Sequence, residues 1–341
     1  MHVLLLCMAN FHKERENESL ERLERVMDGL PPFCNRFFLG LSQTTSPLTR
    51  LNYAYDLRLF FRFLTTDVDV FVGKSNSDID VDSLKEITPF HIELFAHHVR
   101  NGERGVMRKI ACLRTFFNYF YRKGELPNNV ITKVDLPKLH EKPIVRLDFN
   151  EIRELLEIAN EGNGLSKVQR RYHSATALRD TTIIFFFLST GIRVSELVGI
   201  NVGDIDIEKG TFKVTRKGGN QVILYLPEEL QMQLELYLGG SETCQSESNL
   251  PLFKSLQGRR INVRTVQNLI GKYAKLAVPL KNISPHKLRS TFGTNLYRST
   301  KDIYVVADVL GHRDVNTTKK HYAAITEDVR KEAATKVKVL G

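Results

Sequence analysis

Six polar side chains in the C-terminal half of the sequence are of the types that bind and rearrange a phosphate ester. Arg193 lies in Gly191-Ile192-Arg193-Val194-Ser195-Glu196 and Lys217 in Arg216-Lys217-Gly218-Gly219. His286 and Arg289 form His286-Lys287-Leu288-Arg289, His312 follows Leu310-Gly311, and Tyr322 comes ten residues after His312. Breaking a phosphodiester gathers negative charge on the non-bridging oxygens of a five-coordinate phosphorus, and without a metal that charge must meet preorganised cations. Arginine suits the task because its planar fork offers parallel donors and stays ionised. Arg193 and Arg289 are therefore the expected clamp, each worth about 10²–10³ in rate. His286 and Arg289 are three apart, so on a helix they share one side. Ser284-Pro285 before them reads as a cap and first turn, which directs the helix N-terminus at the same anion. The plain alternative for His286 is a packed histidine at a helix start.

Other motifs do not hold up. Gly73-Lys74-Ser75 echoes a phosphate loop, but Val68 stands where its first glycine belongs. His97 and His98 are adjacent, so they diverge on a helix and cannot chelate together. No clustered Asp/Glu set of the kind that holds magnesium is present. Four dispersed cysteines without a CxxC exclude a disulfide scaffold or a structural zinc site.

The ordered set resembles the signature of the tyrosine recombinase family (phage-integrase and Xer-type): Arg, Lys, His-x-x-Arg, His or Trp, and Tyr. The resemblance runs over roughly residues 45–341. It implies a catalytic set of Arg193, Lys217, His286, Arg289, His312 and Tyr322. Lys217 would protonate the leaving 5′-oxygen, with Lys213 or Arg216 as alternative cations, and His312 would donate to a phosphate oxygen. Tyr322 would be the nucleophile, leaving a 3′-phosphotyrosine and a free 5′-hydroxyl. A phenol of pKa near 10 is about one part in a thousand ionised near neutrality, a deficit of roughly 4 kcal/mol. Surrounding cations and a base such as His286 offset it. One ester replaces another, so rejoining needs no ATP, and neither metal nor cofactor is called for. Glu196 would orient Arg193 or a histidine; a surface salt bridge is its alternative. His321 reads as a neighbour, and Tyr297 and Tyr304 lie on apolar helical faces and read as core.

The elements that must position these groups follow from periodicity. Among 341 residues, 49 Lys and Arg face 39 Asp and Glu, for a net charge of +10. Most of the excess lies in residues 145–341, with 29 basic against 21 acidic. Such a field points to a polyanion. Residues 13–30 carry apolar side chains at three- and four-residue steps, as do stretches beginning at Pro47 and Pro89 and the stretch 105–123. Residues 65–83 read as a loop, and Pro127, Pro137 and Pro143 make 124–147 read as an extended stretch. Beyond it come helices at 149–161 and 180–188, the second short enough to be a strand instead. β segments at 204–207, 211–216 and 221–226 follow, separated by hairpin turns. The remainder is helical, with turns near 239–262 and 277–285. The predicted fold is mainly α with a small antiparallel sheet. It divides into an N-terminal helical extension (1–44), a helical core-binding domain (45–136), a linker (137–147) and a catalytic domain with a tail helix (148–341). The resemblance implies that the two domains clamp duplex DNA.

Arg108, Lys109, Arg114, Arg259, Arg260 and Arg264, with Lys254, are the candidate DNA contacts; each could equally be a solvated charge. In relatives a tail such as residues 327–339 docks on a neighbouring protomer, although docking in cis is the alternative here. The expected partners are a double-stranded recombination site and a homotetramer, or a heterotetramer with a related recombinase. The expected role is chromosome-dimer resolution or mobile-element integration through a Holliday junction. A monomeric topoisomerase of type IB chemistry and a non-catalytic DNA-binding protein are the alternatives. The short apolar run at 3–8 lacks a basic leader and is too short to span a bilayer, so no membrane association and a cytoplasmic setting are expected.

Overall fold

The computed structural model describes residues 11–99, 102–135, 145–216, 219–239, 248–312 and 314–315. They fall into two compact units, Met1–Lys142 and Pro143–Gly341. Lys217, His321, Tyr322 and the tail at 327–339 lie outside the described residues.

The first unit is all helical: α1 (Phe11–Met27), α2 (Cys34–Gly40), α3 (Pro47–Asp67), α4 (Pro89–His98) and α5 (Glu103–Arg122). Ser46 starts α3 by accepting the Thr49 N–H at 3.3 Å, with Pro47 in the first turn. Along α5, Val106, Ile110, Leu113, Phe116, Phe117 and Phe120 are buried, a three-and-four spacing that turns one side inward. Aromatic rings fill this core edge to face; Phe37 and Phe116 stand 5.1 Å apart, as do Phe60 and Phe95. Leu23, Val26, Phe37 and Phe38 pack in the same core as α3 and α5, so residues 11–40 are integral to this unit.

Two stretches read as irregular are partly ordered by burial. Val68, Phe71 and Ile79 enter the core, with short 3₁₀ turns at Asn76–Asp78 and Asp82–Glu86. Leu126, Val130, Ile131 and Val134 do the same around a turn at Val130–Lys133. Four isolated apolar residues among prolines carry no period, which is why that segment reads as extended.

The second unit holds α6 (Phe149–Glu161), α7 (Lys167–Thr190), α8 (Val194–Gly199), α9 (Glu228–Leu238), α10 (Val263–Ala277), α11 (Pro285–Thr300) and α12 (Ile303–Leu310). Strands β1 (Ile205–Asp206), β2 (Thr211–Thr215) and β3 (Gln221–Tyr225) form one antiparallel sheet in chain order, with Phe212 opposite Leu224 and Val214 opposite Val222. The 180–188 segment is the C-terminal part of α7, a helix rather than a strand. It starts at Lys167, where Ser166 and Gln169 cap each other reciprocally. α7 packs against α6, α9 and α11, so it is the unit's central helix. The chain entering α6 is pinned to α11, where the Leu147 N–H donates to Thr291 Oγ1 at 3.0 Å. Tyr297 is buried as expected, but Tyr304 is 63% exposed. It sits in the first turn of α12, whose buried side is made by Val306, Ala307 and Leu310.

Candidate active site

The site grows from two glycine-capped helix ends. α7 stops at Gly191, with φ +61°, where a β-carbon would come within 2.3 Å of Phe292 and 2.9 Å of Leu310. Only glycine gives both the left-handed turn and the close approach. The next residue but one, Arg193, begins α8. Its N–H donates to Glu196 Oε2 at 3.0 Å and its Nη1 to Glu196 Oε1 at 2.8 Å. Glu196 is 5% exposed, so it holds Arg193 from inside rather than as a surface pair.

α12 ends at Gly311 in the same left-handed conformation, φ +62°. Helix ends leave carbonyls without intrahelical partners, and here guanidinium groups take three in succession. Arg216 Nη2 donates to the Val309 carbonyl at 3.4 Å, Arg289 Nη2 to the Leu310 carbonyl, and Arg193 Nη2 to the Gly311 carbonyl at 2.9 Å. Arg289 is buried on α11, and its Nη1 donates to the Gly191 carbonyl, which ties the two capped ends together. His312 directly follows this turn, and its N–H donates to the Ala307 carbonyl at 2.9 Å. His286, one turn before Arg289 on α11, is exposed. Pro285 occupies the first turn of α11 as expected, while the Ser284 hydroxyl makes no capping bond.

The structure thus brings Arg193, Glu196, Arg289 and the 309–312 turn together. Lys217 lies outside the described residues, but the rival Lys213 is engaged elsewhere, its Nζ 3.0 Å from Asp204 Oδ1. The sequence offers Arg216 only as an alternative cation to Lys217, and its place on the α12 turn depends on packing that no local pattern shows. The signal available was its position at the hairpin tip beside the motif lysine.

The candidate DNA contacts divide by environment. Arg114, Arg259 and Arg264 are exposed. Arg108 makes a two-pronged pair with Asp56, and Lys109 is buried. Arg260 braces the end of α8, donating to the Val198 carbonyl at 2.9 Å, the Ile200 carbonyl at 3.1 Å and Asn201 Oδ1 at 2.5 Å. These three therefore have structural duties that composition does not reveal. Among the described residues no group of three or more His, Cys, Asp or Glu is placed to hold a metal, and no helix is long and apolar enough to cross a membrane.

Residues 145–328, which include every motif position, match the phage integrase family. The chain belongs to that family. The tyrosine recombinase XerC of Caldanaerobacter subterraneus is 34% identical over 95% of this chain and 90% of its own length. That of Pelobacter propionicus is 30% identical over 88% and 91% respectively. The fold is also that of phage integrase relatives. The XerH site-specific recombinase bound to its difH substrate superposes with a TM-score of 0.61 at 20% identity, over 83% of this chain and 79% of that one. A lambda integrase dimer bound to a core site gives 0.61 at 17% identity, over 84% and 95%. Within the integrase family, this chain is a site-specific tyrosine recombinase.

Proposed function

We propose that the protein cleaves and rejoins double-stranded DNA through a covalent phosphotyrosine, acting as a multimer on its recombination site. The observation that carries this reading is the convergence of Arg193 and Arg289, from separate helices, on the one turn that precedes His312. Backbone carbonyls orient these guanidinium groups without neutralising them, so their charge remains available to a phosphate. In the proposed step the Tyr322 oxygen attacks the scissile phosphorus, and the phenolic proton passes to a base, for which His286 is the candidate. The bond to the 5′-oxygen breaks as Lys217 supplies a proton to it, and His312 donates to a non-bridging oxygen. The reverse attack by a 5′-hydroxyl from a second duplex rejoins the strand, and two such exchanges pass through a Holliday junction. Bond energy is kept in the phosphotyrosine, so neither ATP nor a metal ion is consumed.

Exposed Arg114, Arg259 and Arg264 are the candidate phosphate contacts, and the net positive charge predicts a steep salt dependence. The 327–339 tail is the candidate link between protomers. Chromosome-dimer resolution and mobile-element integration are the two roles that fit this chemistry.

The test is to incubate the purified protein in EDTA with nicked duplexes drawn from the DNA flanking its own gene. The expected result is a covalent protein–DNA adduct with a free 5′-hydroxyl end. A strict requirement for magnesium would overturn the reading.

A further inference from the structure

Arg216 follows β2 and closes the β2–β3 hairpin: its N–H donates to the Asn220 carbonyl at 2.8 Å, and its carbonyl accepts the Gly219 N–H at 3.1 Å. Its side chain leaves the hairpin for α12. Besides the bond to the Val309 carbonyl, its guanidinium covers the α-carbon of Gly311, where a β-carbon would meet Nη1 at 2.2 Å and Cζ at 2.4 Å. Glycine at 311 is therefore required twice, by the left-handed turn and by this guanidinium. Among the described residues Nε is buried without a hydrogen-bond partner.

Stability does not explain an arginine here. A buried donor without a partner is costly, and so is a third guanidinium drawn to the turn that already holds Arg193 and Arg289. An uncharged side chain of the same length would fill the space without either cost. What the arginine does supply is a tie between two elements of the site, the hairpin and the turn before His312.

We propose that Arg216 is a positioning residue that ties the β2–β3 hairpin to the turn that carries His312, and that the work of the next residue in the chain, Lys217, depends on this tie. The inference rests on the proposed role of Lys217 as proton donor to the leaving oxygen. Consecutive α-carbons are 3.8 Å apart, so holding Arg216 between the hairpin and Val309 restricts where the next residue can travel. Lysine is a flexible point charge on a four-carbon stem, and its use as an acid depends on where its backbone is held.

The test compares single-turnover cleavage of two versions of the nicked duplex that traps the wild-type adduct. One carries the ordinary 5′-bridging oxygen and the other a 5′-bridging sulfur. A thiolate leaves without help from an acid, because a thiol is far more acidic than an alcohol. Arg216→Met keeps the stem and its packing. It is expected to cleave the oxygen substrate about 10²-fold more slowly and the sulfur substrate within about threefold of the wild-type rate, with DNA binding unchanged. Arg216→Lys, which keeps the charge but loses the planar fork, is expected to behave like the methionine variant. Equal slowing of Arg216→Met on both substrates overturns the proposal, as does a wild-type rate on the oxygen substrate for either variant. Lys217→Ala is the separate control: if sulfur does not restore its cleavage, Lys217 is not the proton donor, and the underlying reading fails instead.

Discussion

Arg193 and Arg289 donate to neighbouring carbonyls of a single turn, Gly311 and Leu310. Arg193 stands at the start of α8 and Arg289 lies buried in α11, so this turn is where the two helices are registered to each other. The carbonyl end of α12 is its negative pole, and it holds the two side chains in place while leaving their net charge intact. Glu196 opposes that charge through Arg193. Replacing either arginine by lysine keeps a cation but cannot span two acceptors. Arg193→Lys and Arg289→Lys are expected to lower single-turnover cleavage by about 10²–10³ while gel-shift affinity stays near wild type.

Gly191→Ala tests the capped end of α7. The substitution meets φ +61° and the Phe292 ring at 2.3 Å. The backbone penalty is about 1–2 kcal/mol, and the overlap adds about 1–3 kcal/mol. A urea midpoint lowered accordingly, together with slower cleavage because the Gly191 carbonyl no longer holds Arg289, is the expected outcome.

A buried ionic cluster on α7 and α10 offers a stability test away from the site. Asp180, 2% exposed, accepts from Arg179 Nη2 at 2.7 Å, Tyr273 Oη at 2.9 Å and Lys272 Nζ at 3.4 Å. Asp180→Ala strands these donors and is expected to cost about 3–5 kcal/mol in denaturant unfolding. Burial holds the Lys272 ammonium below its usual range, and Asp180 opposes that shift. An unfolded lysine keeps its proton to higher pH than the folded one, so stability rises with pH through the interval between them. The deficit of the variant should accordingly shrink as pH rises toward the free-lysine value of 10.5.

In the first unit, Asp56 is 3% exposed and paired with the half-exposed Arg108. Burial raises the Asp56 pKa, and Arg108 partly offsets it. Arg108→Met should destabilise by about 2 kcal/mol at neutral pH, less than a fully buried pair because solvent screens the arginine. A carboxyl with a raised folded pKa favours the fold below its unfolded value and loses that benefit as pH rises through the folded one. Thermal melts should therefore show the variant recovering relative to wild type as pH falls from neutrality toward the free-carboxyl value of 3.8.

Much of this was legible in the sequence because it rests on local rules. Helix-period stripes mark α3 and α5, and the alternation around Lys217-Gly218-Gly219-Asn220 marks the β2–β3 hairpin. The motif order singles out Arg193, Glu196, Arg289 and the Leu310-Gly311-His312 turn. What escaped depends on tertiary packing. The first half of α7 carries mixed polar residues and is stabilised by its capping box and by contact with α6. The structural roles of Arg108 and Arg260 are set by partners 52 to 62 residues away. Tyr304 fits an apolar stripe, but its place in the first turn of α12 turns it outward. Arg216 is likewise defined by Gly311, 95 residues further along the chain.

Mapping the trapped adduct tests whether this cluster of cations serves one phenol. Wild-type protein and Tyr322→Phe are each incubated with the nicked duplex, digested, and the peptide bearing the nucleotide identified by mass spectrometry. The expected result is a nucleotide on Tyr322 in the wild type, and in the variant undiminished DNA binding with no adduct. An adduct in Tyr322→Phe, or a nucleotide on any other residue of the wild type, would contradict it.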